Sequence, residues 1–274
     1  MCAPFVVETV RGHLSRRGFI GAAAACAVAA SAPVHGQEKA VRLPKGFRDV
    51  VDLTHPFSPL LPMYPGYKPL QIRERFSVSR DGFAANELTF DEHTGTHVDA
   101  PSHFVAGAVS ADRLPVDRLI APLAVISLVD RASREADTLV SVDDLLEWEK
   151  RHGRLPAGAL VAMHSGWDDR VMNIDRFLNR DAKGTMHMPG FSEEAARFLV
   201  GERDISGVGV DTLSLDAGAA QKFVAHVAVL GAGKFGVELM ANLGRVPPSG
   251  ATVIVGAPKH VGGTGGPARV LAVI

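Results

Sequence analysis

The segment 93–104, His-Thr-Gly-Thr-His-Val-Asp-Ala-Pro-Ser-His-Phe, constrains this chain more than any other. It holds three of the chain's eleven histidines and one carboxylate, interleaved with small residues and a proline. This composition is unsuited to a hydrophobic core, because buried imidazole and carboxylate groups need polar partners. Imidazole and carboxylate together suit zinc, manganese or iron(II), whereas calcium prefers oxygen ligands. The segment therefore predicts a site for a divalent metal.

The spacing within this segment favours an extended backbone over a helix. His93 and His97 would share one face of a helix, but Gly95 and Pro101 argue against that structure. In an extended segment residues two apart share a side, so His97 and Asp99 can converge on one ion. Gly95 permits a kink that brings His93 beside them. We expect a bulged strand or a strand-end loop, with His93, His97 and Asp99 as ligands.

Length, composition and charge limit the classes of function. The chain has 274 residues, 46% of them apolar and 22% charged, which is ordinary for a globular protein. No shift in composition marks a boundary inside the main part of the chain, so we expect a single domain there. Net charge is −1 and basic clusters do not recur, which disfavours nucleic acid as a partner. A small-molecule substrate is the expected partner.

The N-terminal segment has the layout of a bacterial export signal. Arg16 and Arg17 precede an alanine-rich apolar run and then a stretch of small residues. The paired arginines resemble the twin-arginine type, and the apolar run is too short to span a membrane. We expect residues 1–36 to be this signal, residues 37–274 to be the mature domain, and the periplasm to be its location. An alanine-rich disordered tail is the alternative.

Both cysteines of the chain, Cys2 and Cys26, lie in this N-terminal segment. The mature domain therefore has no thiol. This excludes a disulfide framework, a cysteine nucleophile and a thiolate metal site.

Hydrophobic patterning predicts an α/β fold in one domain, with a mixed β-sheet flanked by helices. Prolines and glycines break residues 54–67, which we expect to be a loop. The expected strands are 47–53, 70–78, 86–92, 122–129, 159–163, 205–210, 251–255 and 268–274, and the metal ligands should follow the 86–92 strand directly. The expected helices are 142–152, 192–200 and 217–230, and a Gly/Pro-rich loop spans 256–267.

Aromatic residues near the expected metal site suggest a substrate pocket. Tyr64 lies in the proline-rich loop ahead of residues 93–104, which are called the metal segment below. Trp167 follows the strand 159–163. Both could form the flat apolar walls that an aromatic or cyclic substrate needs. An ordinary surface loop for Tyr64 and core packing for Trp167 are the alternatives.

Three ligands from one segment leave the coordination of a metal incomplete. The candidates elsewhere are His164, Asp211, His187, His260, and His226 together with Glu238. His226 and Glu238 each lie in apolar sequence, and a buried polar group without a partner costs about 1–3 kcal/mol. A metal would satisfy both residues. A histidine facing solvent and an exposed glutamate remain the alternative.

The pattern of residues 93–104 resembles the signature of the cyclase family of metal-dependent hydrolases. This family includes bacterial kynurenine formamidases and isatin hydrolases. Residues 52–56, 62–66 and 209–214 and the glycine-rich segment 262–267 also resemble family motifs, so the likeness covers most of residues 47–274. The resemblance implies a swivelling β/β/α fold and a homodimer.

The resemblance also implies roles for individual residues. His93, His97 and Asp99 match ligands of a first metal, with Asp99 bridging to a second. His226 and Glu238 match residues that complete a dinuclear site in the formamidases. The resemblance therefore implies one or two divalent ions, either zinc or manganese. His103 matches the catalytic acid/base. Tyr64 stands where formamidases usually place a tryptophan.

Together these residues predict a hydrolase that opens an amide, lactam or lactone bond of a small cyclic or aromatic substrate. A metal-activated water would attack the carbonyl carbon, and His103 would take and return a proton. One alternative is a lyase or dehydratase, in which His103 removes a proton next to a metal-polarised carbonyl. Another is a periplasmic protein that binds a ligand without turnover, although such a protein has no use for His103 as an acid/base.

Overall fold

A nine-stranded mixed sheet forms the centre of residues 46–274, the part of the chain that the computed structural model describes. The predicted export signal, residues 1–36, lies outside the described residues. The strands are β1 (Val50–Asp52), β2 (Gln71–Phe76), β3 (Ala85–Thr89), β4 (His97–Asp99), β5 (Ile120–Ser127), β6 (Leu139–Val140), β7 (Ala159–His164), β8 (Gly190–Phe191), β9 (Ile205–Val210), β10 (Phe235–Glu238), β11 (Ala251–Gly256), β12 (Gly265–Pro267) and β13 (Arg269–Val273).

The order of strands in this sheet is β1-β13-β11-β5-β7-β9-β10-β4-β12. Strands β5, β7, β9 and β10 are parallel neighbours, and the strands on either side of them pair antiparallel. The central strands β7 and β9 are almost wholly buried, as expected for parallel strands covered on both faces. Strands β2 with β3 and β6 with β8 form two separate two-stranded sheets.

Within residues 46–274, six α-helices accompany the sheet. They are α1 (Val78–Asp81), α2 (Val129–Ala132), α3 (Val142–His152), α4 (Ile174–Leu178), α5 (Glu193–Glu202) and α6 (Val224–Gly231). None of the helices in the described region has the length and hydropathy of a membrane span. The predicted α/β fold with a mixed sheet flanked by helices is confirmed.

The two faces of the sheet bury different cores. On one face, helices α3, α5 and α6 contribute Leu145, Leu199 and Val229 to a core with the central strands. On the other face, Val51 of β1 and Val98 of β4 belong to the same core although their strands lie near opposite ends of the order. The sheet therefore curls, and this places the loop after β1 beside the ends of β4 and β10.

Local signals placed α3 and α5 correctly. Ser141 accepts a hydrogen bond from the Asp144 backbone N–H, and the Asp144 carboxylate accepts one from the Ser141 backbone N–H. This capping box starts α3, and Gly153 ends it at a positive φ of 86°. Ser192 caps α5 by accepting a hydrogen bond from the Ala195 N–H.

The helix predicted over 217–230 is shorter than expected, because α6 begins at Val224. The carboxylate of Asp216 accepts hydrogen bonds from the backbone N–H groups of Ala225 and His226, which belong to the first turn of α6. Gly218 packs so closely against the backbone of residues 186–188 that a Cβ there would lie 2.8 Å from the Met188 nitrogen. Residues 217–223 form turns for these reasons.

The strand predicted over 86–92 also differs from the structure. Strand β3 ends at Thr89 and pairs only with β2, so the metal segment does not continue it. The Thr94 hydroxyl donates to the Asp91 carbonyl, and Gly95 has a positive φ of 68°. These two features turn the chain and start a new strand, β4. The predicted loop 256–267 likewise contains a strand, β12, which pairs with β4 at the sheet edge.

Candidate metal centre

Strands β4 and β10 place three of the predicted ligands side by side. His97 and Asp99 point to the same side of β4, with 3.3 Å between His97 Nε2 and Asp99 Oδ1. Glu238 lies directly opposite His97 in the antiparallel pair, and its Oε2 is 3.4 Å from His97 Nε2. Pairing of two strands that are distant in the sequence thus brings Glu238 to the segment 93–104.

His93 and His226 complete the cluster from two other elements. His93 lies in the turn before β4, and its Nδ1 is 2.6 Å from Asp99 Oδ1. His226 lies on α6, and its Nε2 is 3.0 Å from Glu238 Oε1 and 3.5 Å from Asp99 Oδ2. All five residues predicted as ligands therefore come together, with Asp99 between His93 and His226.

Two glycines make room for these side chains. Gly236 is the partner of Asp99 on β10, and a Cβ there would lie 3.1 Å from Asp99 Oδ2. Gly265 is the partner of Asp99 on β12, and a Cβ there would lie 2.6 Å from His93 Cε1. The glycine-rich segment near residue 265 therefore lets the backbone pass close to the His93 ring.

The charges and unpaired atoms of the cluster fit a divalent cation. His97 Nε2 and Asp99 Oδ2 are buried and have no hydrogen-bond partner among residues 46–274. Burial alone would lower the pKa of His97, but the carboxylates of Asp99 and Glu238 raise it to about 9. Burial would raise the pKa of Asp99, but the charge of His97 and the hydrogen bond from His93 hold it well below its usual range. The carboxylates thus stabilise positive charge among nitrogen and oxygen donors, which suits zinc or manganese.

Three residues that the sequence did not reveal orient two of the histidines predicted as ligands. The Nδ1–H of His226 donates to Asp216 Oδ2 over 2.6 Å. His93 Nε2 lies 3.0 Å from the hydroxyl oxygen of Thr264, and that hydroxyl donates to Glu92. Such partners fix the orientation of a ligating imidazole. Thr264 is 171 residues from His93, and Asp216 precedes His226 by ten residues across irregular backbone, so no local pattern marks either residue. Only the adjacency of Glu92 to His93 offered a signal.

The ring of His97, on β4, is oriented by the backbone. Its Nδ1–H donates to the Gly95 carbonyl over 2.8 Å. The other ring nitrogen, Nε2, therefore faces Asp99 and Glu238. Gly95 thus serves both as the turn before β4 and as the acceptor that sets the His97 ring.

A cavity of about 150 Å³ opens onto the cluster. Tyr64, Tyr67, Phe104 and Phe223 form aromatic walls, and Leu213 and Ser214 also line it. The ring centroid of Phe223 lies 6.1 Å from that of Tyr64 and 5.5 Å from that of Phe104, so these aromatic walls contact one another. The structure therefore places Tyr64 at the pocket, as the sequence predicted, and adds Phe104 and Phe223.

His103 lies on a short 3₁₀ turn, Pro101–His103, and lines the same cavity. A ring nitrogen of His103 is within 4.8 Å of ligand atoms of His93 and Asp99. Burial lowers the pKa of His103 to about 4, and the neighbouring histidines act in the same direction. A neutral imidazole beside the cluster can accept a proton from a group bound there.

Trp167 is not a wall of the cavity, so that prediction is wrong. Its side chain is fully buried in a core with Phe177 and Leu239, and its Nε1–H donates to the Phe177 carbonyl over 2.8 Å. The guanidinium of Arg170 covers the ring at 3.5 Å from the ring centroid. The alternative of core packing is correct, because the turn after β7 directs this side chain into the protein.

The remaining candidate ligands lie outside the cluster. His164 and Asp211 group with Asp168 at the ends of β7 and β9. His187 pairs with Asp137, and His260 pairs with Glu92 on the outer side of the metal segment. Of these residues only His260 connects to the cluster, through Glu92 and Thr264.

Carboxylates and imidazoles that converge beside a small cavity are typical of the active site of a metal-dependent hydrolase. Here the curled α/β sheet holds these residues in place. Comparison with known proteins agrees. Residues 51–217 match the Cyclase family model, described as "Putative cyclase". The chain belongs to the cyclase family.

Individual relatives resemble most of the chain. An isatin hydrolase of Roseibium aggregatum is 35% identical over 250 residues, which are 85% of this chain and 94% of the relative. A kynurenine formamidase of Salinibacter ruber is 26% identical, over 81% of this chain and 96% of the relative. A solved structure of an isatin hydrolase bound to the product analogue thioisatinate superposes with a TM-score of 0.79. It is 31% identical and covers 95% of this chain and 99% of the other.

Proposed function

We propose that this protein opens the lactam ring of a small bicyclic aromatic substrate of the isatin type. The observation that carries the proposal is the cavity of about 150 Å³, which has aromatic walls and the cluster of metal ligands at its floor. Flat apolar walls and a few convergent polar groups suit a flat aromatic ring that carries a reactive carbonyl. The similarity to isatin hydrolases over most of the chain supports the same substrate class.

The arrangement of carboxylate oxygens supports two ions of zinc or manganese. Asp99 directs Oδ1 toward His93 and His97 and Oδ2 toward His226. Glu238 directs Oε2 toward His97 and Oε1 toward His226. Each carboxylate thus lies between two groups of histidines, with one oxygen directed to each group. A divalent ion held by these residues would activate a water molecule at neutral pH and polarise the substrate carbonyl.

The residues of the chain supply binding and proton transfer. Tyr64, Phe104 and Phe223 hold the aromatic ring and exclude water from the reacting carbonyl. Neutral His103 would take a proton from the attacking water at a ring nitrogen and return it to the leaving nitrogen as the carbon–nitrogen bond breaks. It lines the cavity and stacks on His93, which places it beside the predicted ligands.

A second candidate substrate is a formylated aromatic amine. The similarity to a kynurenine formamidase favours it, and Tyr64 offers an aromatic surface for stacking. The test is turnover of metal-assayed protein, loaded separately with zinc and manganese, on isatin, N-formylkynurenine and an aromatic lactone. We expect ring opening of isatin at the highest rate. Turnover confined to the formyl amide would favour the second candidate, and a lack of turnover on all three would contradict hydrolysis of this class.

We also propose that the mature protein is periplasmic. The paired arginines Arg16 and Arg17 ahead of an apolar run support export of the folded protein. Cell fractionation of the full chain and of an Arg16→Lys/Arg17→Lys variant tests this proposal. We expect the wild type in the periplasm and the variant in the cytoplasm, and an identical distribution would contradict it.

We further propose that the protein is a homodimer. The two-stranded sheet of β2 and β3 carries the exposed apolar side chains Ile72, Phe76 and Leu88, and an isolated hairpin of this kind is marginally stable. Light scattering on the mature protein measures the assembly. A molar mass of one chain at micromolar concentration would contradict the dimer.

A further inference from the structure

We infer that Asp216 is a positioning residue, which holds His226 in the tautomer and orientation that direct Nε2 into the metal centre. The inference rests on the metal centre of the proposed function. It concerns a residue that does not line the cavity and that contacts the metal centre through His226 and the helix turn that carries it.

The contacts between the two residues are numerous and buried. Asp216 is 1% exposed and His226 is 4% exposed. One carboxylate oxygen, Oδ2, accepts both the Nδ1–H and the backbone N–H of His226, over 2.6 and 3.2 Å. The other oxygen accepts the backbone N–H of Ala225 over 2.7 Å. The same carboxylate therefore fixes the His226 ring and the first turn of α6 that carries it.

The charge of Asp216 has one evident partner. Among the described residues His226 is the side chain at ion-pair distance from it, and neither a lysine nor an arginine lies that close. A buried carboxylate next to an imidazole keeps the proton on Nδ1, because Nδ1–H is the donor that the carboxylate requires. The lone pair of Nε2 then faces Glu238 and Asp99, at 3.0 and 3.5 Å.

Three acceptor groups that face one another repel unless a cation lies among them. Nε2 of His226 and the oxygens of Glu238 and Asp99 form such a set. Carboxylate–histidine–metal arrangements increase the basicity of the ligand and its affinity for the ion. Loss of Asp216 should therefore lower the affinity for the ion held by His226 and not the affinity for the ion held by His93 and His97.

The experiment titrates chelator-treated protein with Zn²⁺ and, separately, with Mn²⁺. Calorimetry in the absence of substrate measures the affinity for each bound ion. Asp216→Asn keeps the size of the side chain and a capping oxygen but removes the charge. We expect it to weaken binding of one ion by about 10- to 100-fold. Binding of the ion held by His93 and His97 should stay within about twofold of wild type.

A double-mutant cycle with His226→Ala separates positioning from a general loss of structure. If Asp216 acts through His226, then Asp216→Asn should cause no further loss of affinity in the His226→Ala background. The control is Ser192→Ala, which removes the cap of the neighbouring helix α5 and should lower thermal stability without changing metal affinity. An unchanged affinity in Asp216→Asn, or an equal loss in both backgrounds, would overturn the inference.

This experiment also separates the inference from the proposed function. Metal affinity is measured without substrate, so a protein that binds metal through His226 but opens no lactam would refute the substrate proposal alone. Should Asp216→Asn fail to fold, Asp216→Glu, which keeps the charge, is the second variant. Its longer side chain should displace the imidazole of His226 and lower the affinity for the same ion. Wild-type affinity in that variant would contradict the inference that Asp216 positions the His226 ring.

Discussion

The imidazole of His103 stacks on the imidazole of His93, with 3.8 Å between ring centroids and 26° between ring planes. Segment 93–104 therefore folds back on itself, so that its first and third histidines are in contact. His93 faces Asp99, whereas His103 lies on the side that lines the cavity. One short segment thus supplies both a candidate ligand and a candidate proton carrier.

Replacement of His103 tests the division of these two roles. In His103→Ala the metal content should equal that of wild type, because the predicted ligands are unchanged. Turnover should fall by about 10²- to 10⁴-fold, the usual contribution of general acid–base catalysis. Metal analysis and initial rates measure both quantities. Loss of the metal together with the activity would instead make His103 a ligand.

Replacement of Phe223 tests the aromatic wall. Phe223→Ala removes a ring that contacts Tyr64, Phe104 and the edge of the His226 ring, and it keeps all five predicted ligands. An aromatic contact contributes about 0.5–1.5 kcal/mol, so KM for an aromatic substrate should rise by up to about 10-fold. Leu146→Ala, on the outer side of α3, is the control and should leave KM unchanged. An unchanged KM in Phe223→Ala would exclude this wall from substrate binding.

Replacement of Thr264 tests the contact that orients His93. Thr264→Val keeps the shape of the side chain but removes the hydroxyl that accepts from His93 Nε2–H and donates to Glu92. Loss of such a partner weakens metal binding by about 10- to 100-fold. The measurement is competition with a chelating dye, and Thr252→Val on β11 is the control. Equal affinities in the two variants would show that this contact does not affect the metal.

The pH dependence of stability should reveal the buried carboxyl of Asp211. Burial raises the pKa of Asp211 to about 7, hydrogen bonds from Ser165 oppose this shift, and the charge of Asp168 adds to it. Because the unfolded carboxyl has a pKa of about 3.9, the folded state binds more protons between pH 4 and 7. Stability should therefore fall as pH rises through this window, by on the order of 2–4 kcal/mol from this group.

The variant Asp211→Asn isolates that contribution. Its amide oxygen can accept from the N–H groups of Ser165 and Trp167, and its amide N–H can donate to the Ser165 hydroxyl. It cannot ionise, so its stability relative to wild type should increase between pH 4 and 8. Urea unfolding of both proteins in chelator, at several pH values, measures the difference. A difference that does not vary with pH would contradict the raised pKa.

The sequence predicted elements whose signals are local. Helix α3 was predicted with its bounds, because Ser141, Asp144 and Gly153 act within one turn of its ends. Helix α6 was predicted too long, because its first turn is held by Asp216, which lies before the irregular residues 217–223 and not at the N-terminus of the helix. The metal segment was attached to the wrong strand, because Gly95 looks the same in sequence whether it kinks a strand or begins a new one.

The candidate site shows the same division. By itself, the sequence determined that His97 and Asp99 share a side and that Gly95 brings in His93, because a two-residue period and a glycine turn are properties of the local backbone. The resemblance to a family was needed to select His226 and Glu238. Tertiary structure alone decided that Trp167 lies in a core, and that Asp216 and Thr264 hold the histidines. Those contacts exist because the curled sheet and α6 bring distant residues together, and no local pattern of residues records that approach.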